Sequence, residues 1–295
     1  VFSFIEPFAG YGFNRSHAAC YAMIGYQTAY LKAHWPVEFM AALLTSDQGD
    51  TDRVAIEIEE CRNMGIKIMA PDINESFGTF TVVTAGTKTN QVVDPQEKID
   101  TIRFGLKAIK NVGEHIVEEI IKERKASGPY EDVFNLLERI TDKDLNKKSL
   151  DSLIKSGAMD NFGERGQLLA NIERLLSFNK ELARNKENRQ SSLFSDLPAL
   201  DNQKLTLSAA APAAQDEKLN WEKELLGLYV SEHPYNAFRP FLVNYALPLV
   251  ELKNHKGDDR IIAAGIISTI KKIITRRGES MLFVKVEDAT TTVEL

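Results

Sequence analysis

The sequence predicts a mainly α fold, with a small β-hairpin set between two helical regions and an incomplete β segment at the end. Three observations predict it. Apolar residues recur at helical spacing through most of residues 16–180, two short β-rich runs interrupt them at 79–83 and 101–105, and residues 261–295 alternate as strands. With 295 residues, 43% hydrophobic and 26% charged, the chain is long enough to bury real cores and to form two or three domains.

The first helix runs from Ser16 to His34 and Pro36 closes it, because the residue before a proline is pushed out of the helical region. Pro36 then stands in the first turn of the next helix, ahead of Val37–Leu44, and a third helix, Asp52–Met64, stops at Gly65. Residues 1–75 therefore read as all-helical. Thr79–Val83 and Thr101–Gly105 form a hairpin with a long loop. Helical spacing resumes over 106–125, 133–140 and 146–180, broken around Gly157–Gly163. Residues 181–217 lose periodicity and end in Ser208-Ala-Ala-Ala-Pro-Ala-Ala, the composition of a mobile linker, with one apolar island at Leu193-Phe194. A short helix over 221–230 and a proline-punctuated connection lead to strands at 261–274, 281–287 and 292–295. The expected division is 1–78, 79–180, 181–218, 219–258 and 259–295.

Composition excludes several classes. No stretch approaches the roughly 18 apolar residues of a membrane span, and the chain opens at Val1 without a leader pattern, so a cytoplasmic location is expected. Cys20 and Cys61, far apart and without histidine partners at ligand spacing, suggest neither a disulfide framework nor a metal site. No glycine-rich phosphate loop or nucleophile arrangement supports a small-molecule enzyme. Net charge is −6, and residues 101–160 balance 11 Lys/Arg against 11 Asp/Glu, so any nucleic-acid contact must be local.

Three motifs carry chemistry. Leu106-x-x-Ile109-Lys110-Asn111-Val112-Gly113, with Ile120 and Arg124, resembles a helix-hairpin-helix. A tight turn opening a helix points backbone N–H groups and the positive dipole end outward, where a phosphate can lie unread by base. Gly113 suits positive φ or close phosphate approach, Asn111 is the next most comfortable residue at positive φ, and Lys110 adds charge, so the candidate contact is the backbone from Lys110 to Glu114. Leu150–Asp160 is a second, weaker copy whose turn is Lys155, Ser156, Gly157 and Ala158. The other reading makes both glycines ordinary helix ends.

Gln190-Ser191-Ser192-Leu193-Phe194 resembles a sliding-clamp-binding pentapeptide, with Leu193 and Phe194 as anchors for an apolar pocket and Gln190 bonding at its edge. The other reading tucks the pair against the chain's own helices. From Arg260 onward, a long strand, a basic turn and a second strand resemble the opening of an OB barrel, of which about three of five strands are present. There Lys271, Lys272, Arg276, Arg277 and Phe283 suit single-stranded DNA through charge and stacking, or form a solvated hairpin with Phe283 in its core.

The opening Pro7-Phe8-Ala9-Gly10-Tyr11-Gly12-Phe13-Asn14-Arg15-Ser16-His17-Ala18-Ala19-x-Tyr21, followed by Tyr26-Gln27-Thr28-x-x-Leu31-Lys32-Ala33-His34, is similar to the fingers segment of the C-family bacterial replicative polymerases, the polymerase III α chains. The same family shows, in order, Pro71-Asp72-Ile73-Asn74, the Gly113 hairpin, Leu145-Asn146-Lys147-Lys148, Ser156-Gly157-Ala158, a clamp pentapeptide, Leu226-Gly227-Leu228-Tyr229 with His233-Pro234, and the OB opening. The resemblance implies a polymerase that adds deoxynucleoside triphosphates to a primer with Mg2+ held by palm carboxylates outside this chain, which itself supplies no catalytic or metal-binding residue. It implies that Arg15 and His17 lie near the incoming nucleotide's phosphates and Tyr21 near the nascent base pair, unless the same letters are only a helix capped by Asn14 or Ser16. It further implies template-primer DNA, the sliding clamp and other replicase subunits as partners. A freestanding hairpin and OB scaffold without polymerase activity is the competing function.

Overall fold

A computed structural model describes residues 15–83, 101–191, 206–255, 260–274, 278–289 and 291–295. The chain forms two compact units, one of residues 1–108 with 112–130 and one of 109–111 with 131–295. The fold is mainly α, with two sheets of three strands among the described residues.

The first unit opens with α1 (Arg15–His34), α2 (Pro36–Ser46) and α3 (Thr51–Asn63). Pro36 begins α2, which buries Val37, Met40, Ala41 and Leu44, one helical stripe. Asp50 caps α3 by accepting from the Asp52 and Arg53 amides, and Val54, Ile58 and Cys61 face inward. Gly65, at φ 77°, turns the chain out.

Residues 1–75 are not all-helical, because Lys67–Met69 is a strand, β1. It pairs parallel with β3 (Thr101–Arg103), which pairs antiparallel with β2 (Thr81–Val83), so the expected hairpin is the antiparallel half of a sheet in the order β1-β3-β2. Phe80 and Phe104 meet edge-on at 4.7 Å beneath it. A Cβ on Gly105 would come within 2.6 Å of the Thr79 carbonyl carbon, so the crossing of these two backbones requires glycine.

Pro71-Asp72-Ile73-Asn74 is a latch. Asp72 Oδ1 accepts from the Asn74 and Glu75 amides, and the Asn74 side chain both donates to the Tyr130 carbonyl and accepts from its amide, each at 2.8 Å. Ile73 is fully buried, and its carbonyl accepts from Arg124 (2.7 Å), which also donates to Ser76 O at 2.9 Å. Arg124 thus lies in α4 (Glu114–Ser127) as a buried fastener, and burial lowers its pKa.

Glu57 on α3 has its carboxyl pushed up to about 7, first by burial and then by the hydrogen bond and charge of Asp47. The folded chain holds a proton there that the unfolded chain releases near 4.5, so the contribution of this group to stability is greatest below 4.5 and falls as pH rises toward 7. Urea midpoints of the first unit should therefore be lower at pH 8 than at pH 5, and Glu57→Gln should remove much of that difference. An unaltered pH dependence in the variant would contradict the assignment.

The second unit contains α5 (Val133–Arg139), α6 (Lys147–Lys155), α7 (Arg165–Ala170), α8 (Ile172–Ser191), α9 (Gln215–Leu226), the short α10 (Arg239–Leu242) and strands β4 (Ile266–Ile274), β5 (Ser280–Glu287) and β6 (Thr292–Glu294). Asp132 caps α5, and Asn146 with Ser149 forms a capping box on α6, the physical content of Leu145-Asn146-Lys147-Lys148. Leu136, Leu137, Leu150, Leu153, Leu168 and Leu175 form the core, with Phe134 and Phe178 edge-on at 5.8 Å and Asn179 donating to the carbonyls of Leu137 and Ile140.

Helix α8 runs through Ser191, eleven residues into the predicted linker (181–191). The stretch 206–214 is pinned rather than mobile. Ser208 exchanges bonds with the Asn171 side chain, Arg174 donates to Thr206 O (3.0 Å), and the Ala213 amide donates to Glu164 Oε1 (3.0 Å). Gly166 lets this strap lie flat, since a Cβ there would come within 2.6 Å of Ala211 O. The helix expected at 221–230 is α9, starting earlier and ending at Gly227, φ 79°. The final strands form an antiparallel meander β4-β5-β6, with β4 starting at 266 rather than 261.

Candidate nucleic-acid interface

The helical run expected over 106–125 is interrupted. Leu106–Ala108 is a single 3-10 turn, Ile109 is buried, and α4 begins only at Glu114. Between them the chain turns through Asn111 at φ 69°, the position at which asparagine substitutes for glycine. Gly113 instead has φ −71° and ψ 153° and is the N-cap of α4. The reason for glycine there is therefore not positive φ. A Cβ at Gly113 would meet nothing within 4 Å, and a serine or asparagine would cap better, so nothing within the chain demands glycine at that place.

Val112 is buried and anchors the turn, whereas Lys110, Asn111, Gly113 and Glu114 are exposed. The Lys110 amide donates to Leu225 O (3.1 Å), and Asn111 Nδ2 reaches Ser152 Oγ at 3.4 Å. The opening amides of α4 precede its first helical bond, Val117 N–H to Gly113 O at 3.3 Å. Glu114 and Glu118 would oppose an anion there, but Lys107 pairs with both. Hydrogen bonding to Glu114, then to Glu118, raises the Lys107 pKa, and Lys107 lowers that of Glu118. Sequence reasoning missed Lys107; its signal was a lysine placed just before an acidic first turn.

The second copy is built differently. Gly157 takes φ 84° just past the end of α6, and the Ser156 and Gly157 amides donate to Ser152 O and Ile154 O. Ser156 and Ala158 are buried, and Lys155 pairs with Asp151 at 2.9 Å beneath the Trp221 ring. A Cβ on Gly157 would come within 2.4 Å of Arg165, so this glycine is explained by the helix end it makes and by the arginine packed over it. Gly157 thus makes a helix end, with its neighbours Ser156 and Ala158 packed inward.

Gln190 and Ser191 fall in the last turn of α8, while Ser192, Leu193 and Phe194 lie outside the described residues. In the terminal meander Lys271 pairs directly with Phe283, and Lys272 pairs with Leu282. Adjacent strand positions point to opposite faces, so Lys271 and Phe283 share a face and Lys272 does not. Arg276 and Arg277 lie outside the described residues. Arg15 opens α1, and Ser16 lies inside the helix rather than capping it; Asn14 is outside the described residues. His17 and Tyr21 are exposed and meet edge-on at 4.4 Å. Among the described residues, no helix is long and apolar enough to cross a membrane.

A family model described as a helix-hairpin-helix motif matches residues 65–168, which contain both turns. The whole chain is 37% identical over 300 residues to the DNA polymerase III subunit alpha of Thermus aquaticus, covering 23% of that protein. It is 35% identical over 313 residues to the same subunit of Xylella fastidiosa and 37% identical over 300 residues to that of Borreliella burgdorferi, 25% of each. The chain thus spans about a quarter of the length of these relatives.

Proposed function

Because the chain belongs to the family of DNA polymerase III α subunits, we propose that it is a part of a replicative DNA polymerase that grips template-primer DNA through residues 110–114 and engages a sliding clamp through Gln190–Phe194. The observation that supports the DNA contact is Gly113: a glycine N-cap opening on empty space, with Lys107 paired to Glu114 in the first turn of α4 and to Glu118 a turn further on, which reduces their opposition to an anion. Backbone amides at such a helix start bind phosphate without reading sequence, as a polymerase requires. Lys155–Ala158 act in this reading by shaping α6 and α7 rather than by touching phosphate.

Arg15, His17 and Tyr21, at the start of α1, are the groups assigned to the incoming nucleotide, and the Lys271–Phe283 face to single-stranded template. The Mg2+ that would neutralise charge at the transferring phosphate belongs to palm carboxylates outside these residues, so the chain alone is expected to be inactive in primer extension. Clamp attachment raises the effective concentration of primer ends and makes tight DNA affinity unnecessary, which suits a net charge of −6.

Gly113→Ser tests the DNA contact. Serine is compatible with the observed φ and ψ and caps at least as well as glycine, so stability should hold or rise by a few tenths of a kcal/mol. The hydroxymethyl group would stand where phosphate approaches, so affinity for primed duplex DNA should fall about tenfold, ~1.4 kcal/mol. Equal affinity across a salt series would remove this turn from the interface. Failure of the full-length chain to extend a primer would instead favour the scaffold function.

A further inference from the structure

An open-sided cleft of about 700 Å³ lies on the first unit, between the bend at Gly78 and Thr79 that leads toward β2 and one face of α4. Helix α4 gives it Glu118, Lys122 and Lys125, at the i, i+4 and i+7 positions of a single face. Lys107 adds a third ammonium. Its stem crosses Gly78 so closely that a Cβ there would come within 2.9 Å of Lys107 Cε, and its amide donates to Gly78 O at 3.0 Å. Only 19% of the Lys107 side chain is exposed. The glycine is explained by the lysine laid across it, and the lysine is fixed in the wall of the cleft.

The cleft sets three lysines against one glutamate in a chain whose net charge is −6. Glu118 is already bonded to Lys107 at 2.8 Å. Lys122 pairs with Glu119 at 3.0 Å, but the lysine is 74% exposed, and an exposed pair one turn apart is weak enough for a phosphate to take the ammonium over. The Lys125 ammonium stands 5.6 Å from the centre of the half-exposed Phe77 ring.

We propose that this cleft is a second phosphate site for DNA, in which the sugar-phosphate backbone that meets the start of α4 continues along the side of the helix to Lys122 and Lys125. The inference rests on the reading of residues 110–114 as a DNA contact. Continuity favours this occupant, because Lys107 lines the cleft and is also bonded to Glu114 in the first turn. The spacing fits as well. From Glu114 to Lys125 the helix rises roughly 16 Å, and one strand of B-DNA carries a phosphate about every 3.4 Å of axis, so a run of roughly five phosphates covers the distance. An acidic protein segment would meet the same lysines, but nothing ties it to the open N-cap at Gly113.

The experiment uses the full-length α chain carrying this sequence, with Lys122→Gln and Lys125→Gln combined. Both lysines are exposed and glutamine keeps the helix propensity, so the urea midpoint should hold. Lys107 is left in place because it serves Glu114. Affinity for primed duplex DNA should fall about tenfold, and the plot of log affinity against log salt should become shallower by roughly 1.8, two phosphate contacts at about 0.9 each. Neutral methylphosphonate linkages, placed one at a time along each strand, then locate the contact: at one set of positions they should weaken binding of the parent and leave the double variant indifferent. Unchanged affinity and slope overturn the inference and leave the cleft to an acidic protein segment. A double variant that keeps the parent's full methylphosphonate pattern overturns it too, since its loss would then be a general effect of charge. Gly113→Ser, measured on the same DNA, separates these outcomes from failure of the reading beneath them. If the serine variant binds more weakly and the lysine variant does not, the cleft is lost and the turn is kept; if neither differs from the parent, both are lost.

Discussion

Glu222→Ala should destabilise the second unit by about 3–5 kcal/mol, a large share of the stability of an ordinary domain. The Glu222 side chain is 1% exposed and lies against Arg165, itself 6% exposed, at 3.1 Å. Its other oxygen accepts from the Val230 and Ser231 amides, both at 2.9 Å, and from the Ser231 hydroxyl at 3.1 Å. Arg165 also forms a two-pronged pair with Asp160, both bonds at 2.8 Å, and donates to Lys155 O. Burial alone would lower the Arg165 pKa, but Asp160 and then Glu222 more than offset it, and the pKa is raised. Removing Glu222 strands two amides and half of a buried guanidinium in a dry site. Urea unfolding monitored at Trp221, on α9, reads the effect, and Glu222→Gln, which keeps an acceptor, should lose less. A loss below 1 kcal/mol for the alanine variant would mean water replaces the carboxylate.

Leu193→Ala combined with Phe194→Ala should lower affinity for a bacterial sliding clamp at least about 100-fold, as expected when two central apolar anchors are truncated. Binding to primed duplex DNA should not change, because the motif stands apart in sequence from residues 110–114. Surface plasmon resonance against immobilised clamp, beside a DNA titration at matched salt, separates the two. Retained clamp affinity in the double variant would sink the motif.

The helices were legible because their buried residues follow the period, as in Val37, Met40, Ala41 and Leu44 of α2. Strand β1 was not, since three residues between Gly65 and Pro71 are too few to show alternation and their partner β3 lies over thirty residues away. The strap at 206–214 was misread for a different reason. Its alanines and proline have a linker's composition, and what holds it comes from Glu164, Asn171 and Arg174, distant side chains that no local pattern announces. At the hairpin, the residue types were right and their duties exchanged: Asn111 takes the positive φ and Gly113 the cap. Several motifs that carried the family resemblance turn out to be caps and latches, at Asp72, Asn74, Asn146, Gly157 and Gly227. The opposite faces of Lys271 and Lys272 could have been read from strand alternation alone.

Helix α8 bears on the proposed clamp contact. Its first half is built into the core through Leu175, Phe178 and Asn179, and its backbone stays helical through Ser191, two residues before Leu193. A twenty-residue helix is about 30 Å long and bends little. Gln190 and Ser191 therefore stand at the tip of a strut rather than partway along a slack leash. If that strut presents the proposed clamp contact, orientation would govern the meeting with a ring around DNA more than reach, and a contact of modest strength would suffice.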